Sequence, residues 1–374
     1  MPRAGGDVNR PLDGRGRGFI LAPVYPRSLL VLACALPASL MAHVDLTLPL
    51  GQVTAAPLPA APLGSGAWRF EVDAGWAKLP KEVSLGPTHG GIVVDKAGNI
   101  YVSTDAEKTG LLVFDSSGRF LRTIAPDFSG IHGMMIRDEG GKEFIYAAHV
   151  KGPQVVKLGL DGKAEWTIGV PKESGFYNQP ADPKAKPAAF RPTAVTVAPD
   201  GRIYVADGYG ASVVHVYSAD RRYLKTIGTR GEGENQFKTC HGIALDTRFG
   251  APRLLICDRE NRRLVHTDLE GKWIGVVTTG LRRPCAASIQ GDFVAVAELE
   301  GRVAIVDKSG KVVAALGDNP DQKQWAQFKL APEFWRDGIF IAPHGVSFDG
   351  KGNLIVQDWN FAGRVTMLRR APKG

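Results

Sequence analysis

The stretch TAVTVAPDGRIYVAD, residues 193–207, decides the fold of this chain. Two short runs of mainly apolar and β-branched residues flank Asp200-Gly201, a dipeptide typical of tight hairpin turns. The second run ends on a polar side chain, Asp207. The stretch therefore predicts an antiparallel β-hairpin that ends on a carboxylate.

Five other stretches repeat this hairpin pattern, and a third apolar run follows each of them. The six units start, in chain order, at Gly90, His132, Thr193, His241, Cys285 and His344. Six units of this size predict an all-β fold, a six-bladed β-propeller with four-stranded antiparallel blades. The repeats resemble the NHL type. The high glycine content, 45 of 374 residues, fits the many turns that such blades need.

The last unit ends after its third strand, near Arg370, so its blade lacks an outer strand. We expect GAWRFEVD, residues 66–73, to supply this strand and close the ring, because an open edge strand promotes aggregation. Two long insertions, 170–190 and 318–341, carry aromatic residues and are expected to shape the mouth of the channel.

The predicted domains are a leader at 1–42, an Ala- and Pro-rich linker at 43–65 and the propeller at 66–374. Residues 28–42 form an uncharged apolar stretch that ends in small residues, as signal peptides do. The stretch is shorter than the roughly 20 residues of a membrane-spanning helix, so no stable membrane span is expected. The sequence thus predicts a secreted or periplasmic protein, with lipid attachment at Cys34 as the weaker alternative.

The formal net charge of +8 gives little support for nucleic-acid binding. Residues 1–27 hold five arginines and two aspartates, so a net +3 of this charge lies in the predicted leader. The rest of the chain shows no Lys/Arg block and no aromatic stacking platform. It also shows no G-x-S-x-G elbow and no Gly-rich phosphate loop, which argues against a serine hydrolase and a nucleotide enzyme. The expected partner is a small-molecule or peptide substrate, and the expected state is a monomer.

Three cysteines follow the leader, namely Cys240, Cys257 and Cys285. An odd number gives no obvious disulfide framework. We expect small buried residues on strands, and both a Cys240–Cys285 pair and free thiols remain possible.

The register of the hairpins places three histidines at equivalent positions on alternate blades. His132, His241 and His344 start the second, fourth and sixth units, so in a six-fold ring they converge from three sides. Three nitrogen ligands with an open fourth position are the arrangement of a catalytic zinc site. The histidines therefore predict a metal site, with zinc preferred and iron, copper or nickel as alternatives.

A second ring of polar residues lies where the second strand of each unit ends. Such residues often tie neighbouring blades together through hydrogen bonds to turn backbone, and this interpretation is favoured over a role beside the metal. The members of the ring are Asp105, His149, Asp207, Asp258, Glu298 and Asp358.

From about residue 89 to 370 the chain resembles the peptidyl-α-hydroxyglycine α-amidating lyase family. The matching stretches are IHGMMI around His132, RPTAVTVAPDGRIYVADGYG around Tyr209, GENQFKTCHGIAL around His241, CDRENRRL around Arg259 and APHGVSFDGKGNLIVQD around His344. The resemblance implies a six-bladed catalytic propeller whose zinc is held by the three histidines. It also implies that Tyr209 lies beside the substrate hydroxyl.

Some positions depart from the family pattern. Where the family carries a catalytic arginine in its first blade, this chain has Ser103, Thr104 and Asp105. Ala342 replaces a methionine, and Gly345 replaces an aspartate that helps to hold a structural calcium, so a calcium site has little support. Gly210 stands where the family has a disulfide cysteine.

The sequence accordingly predicts an exported, zinc-dependent lyase that cleaves the C–N bond of an N-acyl-α-hydroxyglycine-like carbinolamide to an amide and glyoxylate. Tyr209 would act as a base or hydrogen-bonding group, and Arg259 would bind the substrate carboxylate unless it only pairs with Glu260. Two alternatives remain open. One is a non-catalytic propeller that binds a peptide, glycan or protein, and the other is a metal-dependent hydrolase that uses the same histidines.

Overall fold

A computed structural model of the protein describes residues 61–178 and 188–372. The predicted leader, the predicted linker up to residue 60 and Cys34 lie outside the described residues. Within those residues, no helix has the length and apolar character needed to cross a membrane.

The described residues form an almost entirely β structure. In chain order the strands are β1 (Phe70–Asp73), β2 (Ile92–Val94), β3 (Ile100–Ser103), β4 (Leu111–Phe114), β5 (Phe120–Ile124), β6 (Ile131–Glu139), β7 (Lys142–His149), β8 (Gln154–Gly159), β9 (Ala164–Ile168), β10 (Ala194–Val197), β11 (Ile203–Ala206), β12 (Val214–Tyr217), β13 (Tyr223–Ile227), β14 (Thr229–Arg230), β15 (Gln236–Phe237), β16 (Cys240–Asp246), β17 (Arg253–Asp258), β18 (Arg263–Asp268), β19 (Trp273–Thr278), β20 (Pro284–Gln290), β21 (Phe293–Glu298), β22 (Arg302–Val306), β23 (Val312–Leu316), β24 (Pro343–Phe348), β25 (Leu354–Asp358) and β26 (Arg364–Arg370). Short 3₁₀ turns lie at Gly66–Trp68, Pro126–Phe128, Lys172–Ser174, Gln322–Gln324 and Pro332–Phe334.

These strands build six four-stranded antiparallel sheets, which confirms the six-bladed propeller. Blades 1 to 5 consist of β2–β5, β6–β9, β10–β13, β16–β19 and β20–β23, and blade 6 consists of β24, β25, β26 and β1. The hairpin of residues 193–207 pairs Ala194 with Ala206 and Val197 with Ile203. Its turn residue Gly201 has φ +85°, a left-handed conformation that glycine adopts without strain.

The ring closes as the sequence predicts. β1 pairs antiparallel with β26, with Phe70 opposite Arg370 and Asp73 opposite Met367. Blade 6 is therefore shared between the two ends of the propeller, and β26 is not left as an open edge. Phe70 is fully buried in an apolar cluster that also contains Leu316 and Leu368.

The core lies between neighbouring blades. Val214 and Val216 of blade 3, for example, share one cluster with Leu254 and Ile256 of blade 4. The middle strands β11 and β12 of blade 3 are buried along their whole length, because a neighbouring blade covers each of their faces. Hydrophobic alternation is therefore seen mainly in the outer strands, such as β23. This packing fixes the first strand of every blade around a central channel.

Candidate functional site

The structure brings His132, His241 and His344 together at the start of the first strands of blades 2, 4 and 6. The ring centroid of His132 lies 4.7 Å from those of His241 and His344, which are themselves 4.6 Å apart. Each histidine is almost completely buried, with 2 to 3% of its surface exposed. The three imidazoles cap a channel of about 60 Å³ that is lined by the first strands of all six blades.

Backbone carbonyls of the next blade hold two of these imidazoles in one orientation. His132 Nδ1 lies 2.6 Å from the carbonyl oxygen of Thr193, and His241 Nδ1 lies 2.8 Å from that of Cys285. A carbonyl can only accept a hydrogen bond, so Nδ1 carries the proton and Nε2 keeps its lone pair. Metal-binding histidines are commonly fixed in this way.

Several buried imidazole nitrogens of the cluster have lone pairs that suit a metal ion. His132 Nε2 and both ring nitrogens of His344 are buried without a hydrogen-bond partner among the described residues. Buried polar atoms are normally satisfied, and neutral imidazole nitrogens are good zinc ligands. Two groups of side chains can therefore bind a metal, namely His89 with His132 and His344, and His241 with Cys285 and His344.

A glycine after each histidine lets the backbone of the next blade come close, and this permits the carbonyl contacts of His132 and His241. A Cβ on Gly133 would lie 2.5 Å from the Thr193 carbonyl oxygen, and one on Gly242 would lie 2.5 Å from that of Cys285. On Gly345 the distance to the Gly90 carbonyl oxygen would be 2.6 Å. The repeated His-Gly dipeptide thus supplies both the imidazole and the space for the backbone that orients it.

Gly242→Ala should consequently disturb the site from outside the ligand set. The new methyl group would force apart the first strands of blades 4 and 5, so we expect a loss of about 1–3 kcal/mol of stability and weaker metal binding. Thermal unfolding and zinc titration measure both effects. Gly250→Ala is the matched control, because no atom lies within 4 Å of its Cβ position. Equal stability of the two variants would contradict the close-packing argument.

Sequence reasoning missed a fourth histidine. His89 precedes the first-blade position Gly90, and its ring centroid lies 4.8 Å from that of His132 and 4.9 Å from that of His344. The side-chain nitrogens of these three histidines lie within 4.8 Å of one another. The signal was present as His89-Gly90, which repeats the His-Gly dipeptide one residue earlier than the register of the other blades.

Tyr209 and Arg259, both predicted as site residues, lie beside the histidines. Tyr209 Oη lies 2.9 Å from His241 Nε2 and 3.2 Å from His89 Nε2. Arg259 donates from Nη1 to Tyr209 Oη at 3.3 Å and from Nε to Glu260 at 2.9 Å. The ion pair with Glu260 and the contact with the site therefore occur together.

Burial sets the ionisation state of the site. It lowers the pKa of all three central histidines well below the ordinary value, assisted by the neighbouring histidines and Arg259. These imidazoles are neutral near pH 7, the form that binds a metal. Burial also raises the pKa of Tyr209 to about 12, although Arg259 opposes this shift.

A second cavity of about 190 Å³ adjoins the histidines, and we call it the mouth cavity. His89, Tyr209 and His344 connect it to the histidine cluster. Its full lining is His89, Tyr209, Arg259, Arg283, Leu299, Ala326, His344 and Trp359. The insertion 318–341 contributes Ala326, whereas its predicted aromatic residues and those of 170–178 do not line this cavity.

The second polar ring serves the backbone. Asp207 accepts hydrogen bonds from the N–H groups of Arg191 and Ala211, and Asp358 accepts from those of Ile341 and Ala342. The other members behave in the same way or pair with arginine. Asp258 accepts from Lys238 N–H, Glu298 accepts from Arg282 N–H and from the Arg302 side chain, and His149 contacts the Ser129 carbonyl. Asp105 lies 3.8 Å from His89. The other members of the ring bind the segments that lead into their blades and do not contact the histidine cluster.

All three cysteines of the described chain are buried free thiols, so the possible Cys240–Cys285 pair is absent. Cys285 nevertheless touches the site, because its sulfur and nitrogens of His241 and His344 lie within 4.8 Å of one another. Burial raises the pKa of the Cys285 thiol to about 11, and Arg259 opposes the shift.

The first-blade residues Ser103 and Thr104 do not supply a cation. Ser103 Oγ accepts a hydrogen bond from Gly91 N–H, and Thr104 Oγ1 donates to the Leu85 carbonyl. Positive charge comes instead from other blades. The guanidinium carbons of Arg191 and Arg259 lie 5.6 and 5.3 Å from the Tyr209 ring centroid.

Known structures share the fold of this chain. Its fold matches that of a streptogramin B lyase at 15% identity, covering 82% of this chain and 100% of that one with a TM-score of 0.52. A gluconolactonase from Xanthomonas campestris matches at 11% identity, 84% and 97% coverage and a TM-score of 0.56. A calcium-binding protein, regucalcin from Agrobacterium tumefaciens, matches at 14% identity, 79% and 93% coverage and a TM-score of 0.51. No family model matches the chain. These likenesses show a propeller scaffold with lyase-like and lactonase-like structural neighbours.

Proposed function

We propose that this protein is a zinc-dependent lyase that splits N-acyl-α-hydroxyglycines into an amide and glyoxylate. One observation carries the proposal, namely the group formed by three buried histidines, Tyr209 and Arg259 beside the mouth cavity. The tautomers of His132 and His241 leave a lone pair on Nε2 for the metal, the nitrogen on His241 accepting a hydrogen bond from Tyr209 Oη that the metal would replace, and the unpartnered nitrogens of His344 complete the set. A divalent cation bound there supplies positive charge that lowers the pKa of a coordinated hydroxyl and of a nearby phenol.

The side chains around the histidines fit the remaining steps. Tyr209 Oη lies 2.9 Å from His241 Nε2 and would therefore lie beside a substrate hydroxyl held at the histidines. As the phenolate, which the charge of the cation would favour, Tyr209 would take the hydroxyl proton. The oxygen electrons would then form the aldehyde carbonyl while the C–N bond breaks, and Tyr209 would return the proton to the departing amide nitrogen. Arg259 binds the glycine carboxylate through its guanidinium, which favours planar two-point contacts.

Glyoxylate release tests the reaction directly. We expect purified protein with about one zinc per chain to convert N-benzoyl-α-hydroxyglycine to benzamide and glyoxylate, and expect a chelated sample to lose the activity until zinc is returned. Zinc without glyoxylate release above the chelated control would remove the lyase and leave the metal-dependent hydrolase. A protein without any transition metal would instead favour the non-catalytic propeller that binds a peptide, glycan or protein.

Export to the periplasm or the medium is a further part of the proposal, testable by fractionating the host cells.

A further inference from the structure

The mouth cavity is lined by two chemically different groups of side chains, which we call its walls. One wall is cationic and holds Arg259 and Arg283, and the other is apolar and consists of Leu299, Ala326 and Trp359. A ligand that fills the cavity must touch both walls, because the volume is only about 190 Å³. This corresponds to about six water molecules, below the roughly 300–1,000 Å³ of pockets for drug-sized ligands.

Glu260 organises the cationic wall. Its carboxylate accepts from Arg259 Nε at 2.9 Å and from Arg283 Nε and Nη2 at 3.0 and 2.7 Å. One carboxylate thus holds two guanidinium groups and leaves a net positive charge in a largely enclosed space. Arg259 has only 9% of its surface exposed, so water compensates little of this charge. An anionic ligand would balance it.

The apolar wall is built from packed side chains. Leu299 is 3% exposed and belongs to a cluster with Cys285, and both Ala326 and Trp359 pack against that cluster. The Trp359 ring lies 4.9 Å from the Phe328 ring and 5.9 Å from the His89 ring, measured between centroids. The indole therefore reaches from the insertion to the histidine cluster, and a flat apolar group can pack beside the reacting carbon.

We propose that the mouth cavity selects small carboxylates that bear one compact apolar acyl group, such as an aroyl group. Arg259 and Arg283 together bind the carboxylate, and Leu299, Ala326 and Trp359 pack against the acyl group. This inference rests on the proposed function for the position of the reacting carbon, and it adds Arg283 and the apolar wall as determinants of specificity.

Binding of non-reacting ligands tests the selectivity without turnover. Titration calorimetry on chelated protein would compare three ligands. Benzoylglycine carries both the carboxylate and the aroyl group, acetylglycine has the carboxylate without an aroyl group, and benzamide has the aroyl group without a carboxylate. We expect benzoylglycine to bind at least about tenfold more tightly than either of the others, because it alone uses both walls. Equal affinity of the three ligands would overturn the proposal.

Two variants assign the walls. Arg283→Gln should weaken the binding of benzoylglycine and acetylglycine about tenfold and leave the affinity for benzamide unchanged. Arg262→Gln is the control and should change none of the three affinities, since Arg262 pairs with Glu300 outside the cavity. Arg283→Lys should restore part of the carboxylate affinity. Trp359→Leu should reduce the preference for benzoylglycine over acetylglycine to about threefold, and Phe334→Leu, at a residue with 59% exposure, should leave it unchanged.

The outcomes separate this inference from the reaction. If the affinity ratios do not respond to Arg283→Gln or Trp359→Leu in protein with wild-type circular dichroism, the assigned walls are wrong even if glyoxylate is released. If the selectivity follows both variants and no glyoxylate is released, the cavity is assigned correctly and the lyase reaction is not.

Discussion

His241→Ala is expected to abolish stoichiometric zinc binding and all zinc-dependent turnover. His241 Nε2 is one of the three nitrogens assigned to the metal, and the ligand group on its side of the cluster, His241, Cys285 and His344, falls to two members without it. Loss of an outer partner of a metal ligand costs about 10- to 100-fold in affinity, so loss of the ligand itself should cost at least about 100-fold. Elemental analysis and the glyoxylate assay measure the two effects.

Thermal unfolding adds a measurement that does not depend on activity. Zinc at 100 times its Kd should stabilise the wild type by about 2.7 kcal/mol, and the stabilisation should be absent in His241→Ala. His149→Gln is the matched control, because His149 contacts the Ser129 carbonyl and lies outside the histidine cluster. If the wild type and His241→Ala respond equally to zinc, His241 is not a ligand of the metal.

Tyr209→Phe is expected to lower kcat by about 10²- to 10⁴-fold, the usual contribution of a general acid or base. The change removes only the hydroxyl, which lies 2.9 Å from His241 Nε2 and 3.3 Å from Arg259 Nη1. The ring remains, so zinc content and unfolding temperature should stay close to those of the wild type. Steady-state kinetics on N-benzoyl-α-hydroxyglycine, together with elemental analysis, provide the measurement.

Tyr217→Phe is the control for a lost phenol. Tyr217 is 2% exposed, its hydroxyl has no hydrogen-bond partner among the described residues, and it does not line the mouth cavity. We therefore expect wild-type kcat from this variant. A Tyr209→Phe enzyme with unchanged kcat would show that the phenol takes no part in proton transfer.

Much of the fold and part of the candidate site were accessible from the sequence. The turn at Asp200-Gly201 and the apolar runs beside it are local features, and their six-fold repetition predicted the blades and the closing strand β1. The same register placed His132, His241 and His344 at equivalent positions, and the resemblance added Tyr209. The role of these residues in zinc binding and catalysis stays a prediction that the experiments above test.

Other parts of the site were not accessible in this way. His89 falls one residue outside the register, so a repeat alignment gives no reason to place its ring against His132. Arg283, Ala326 and Trp359 lie in connecting segments whose directions depend on the packing of blades 5 and 6. The sequence predicted that the aromatic residues of the insertions shape the mouth of the channel, yet Ala326 is the member of 318–341 that lines the mouth cavity.

The sequence by itself determined the propeller, its closure and the common position of three histidines, because strand periodicity and turn chemistry act over a few residues and are repeated along the chain. Only the tertiary structure decided which nitrogen of His132 and His241 carries the proton and which keeps its lone pair, since the carbonyls that fix the tautomers come from the following blade. It also decided that Glu260 holds Arg259 and Arg283 together in the cavity that Trp359 lines. Such contacts join residues far apart in sequence, and they exist only once the blades have packed into a closed ring.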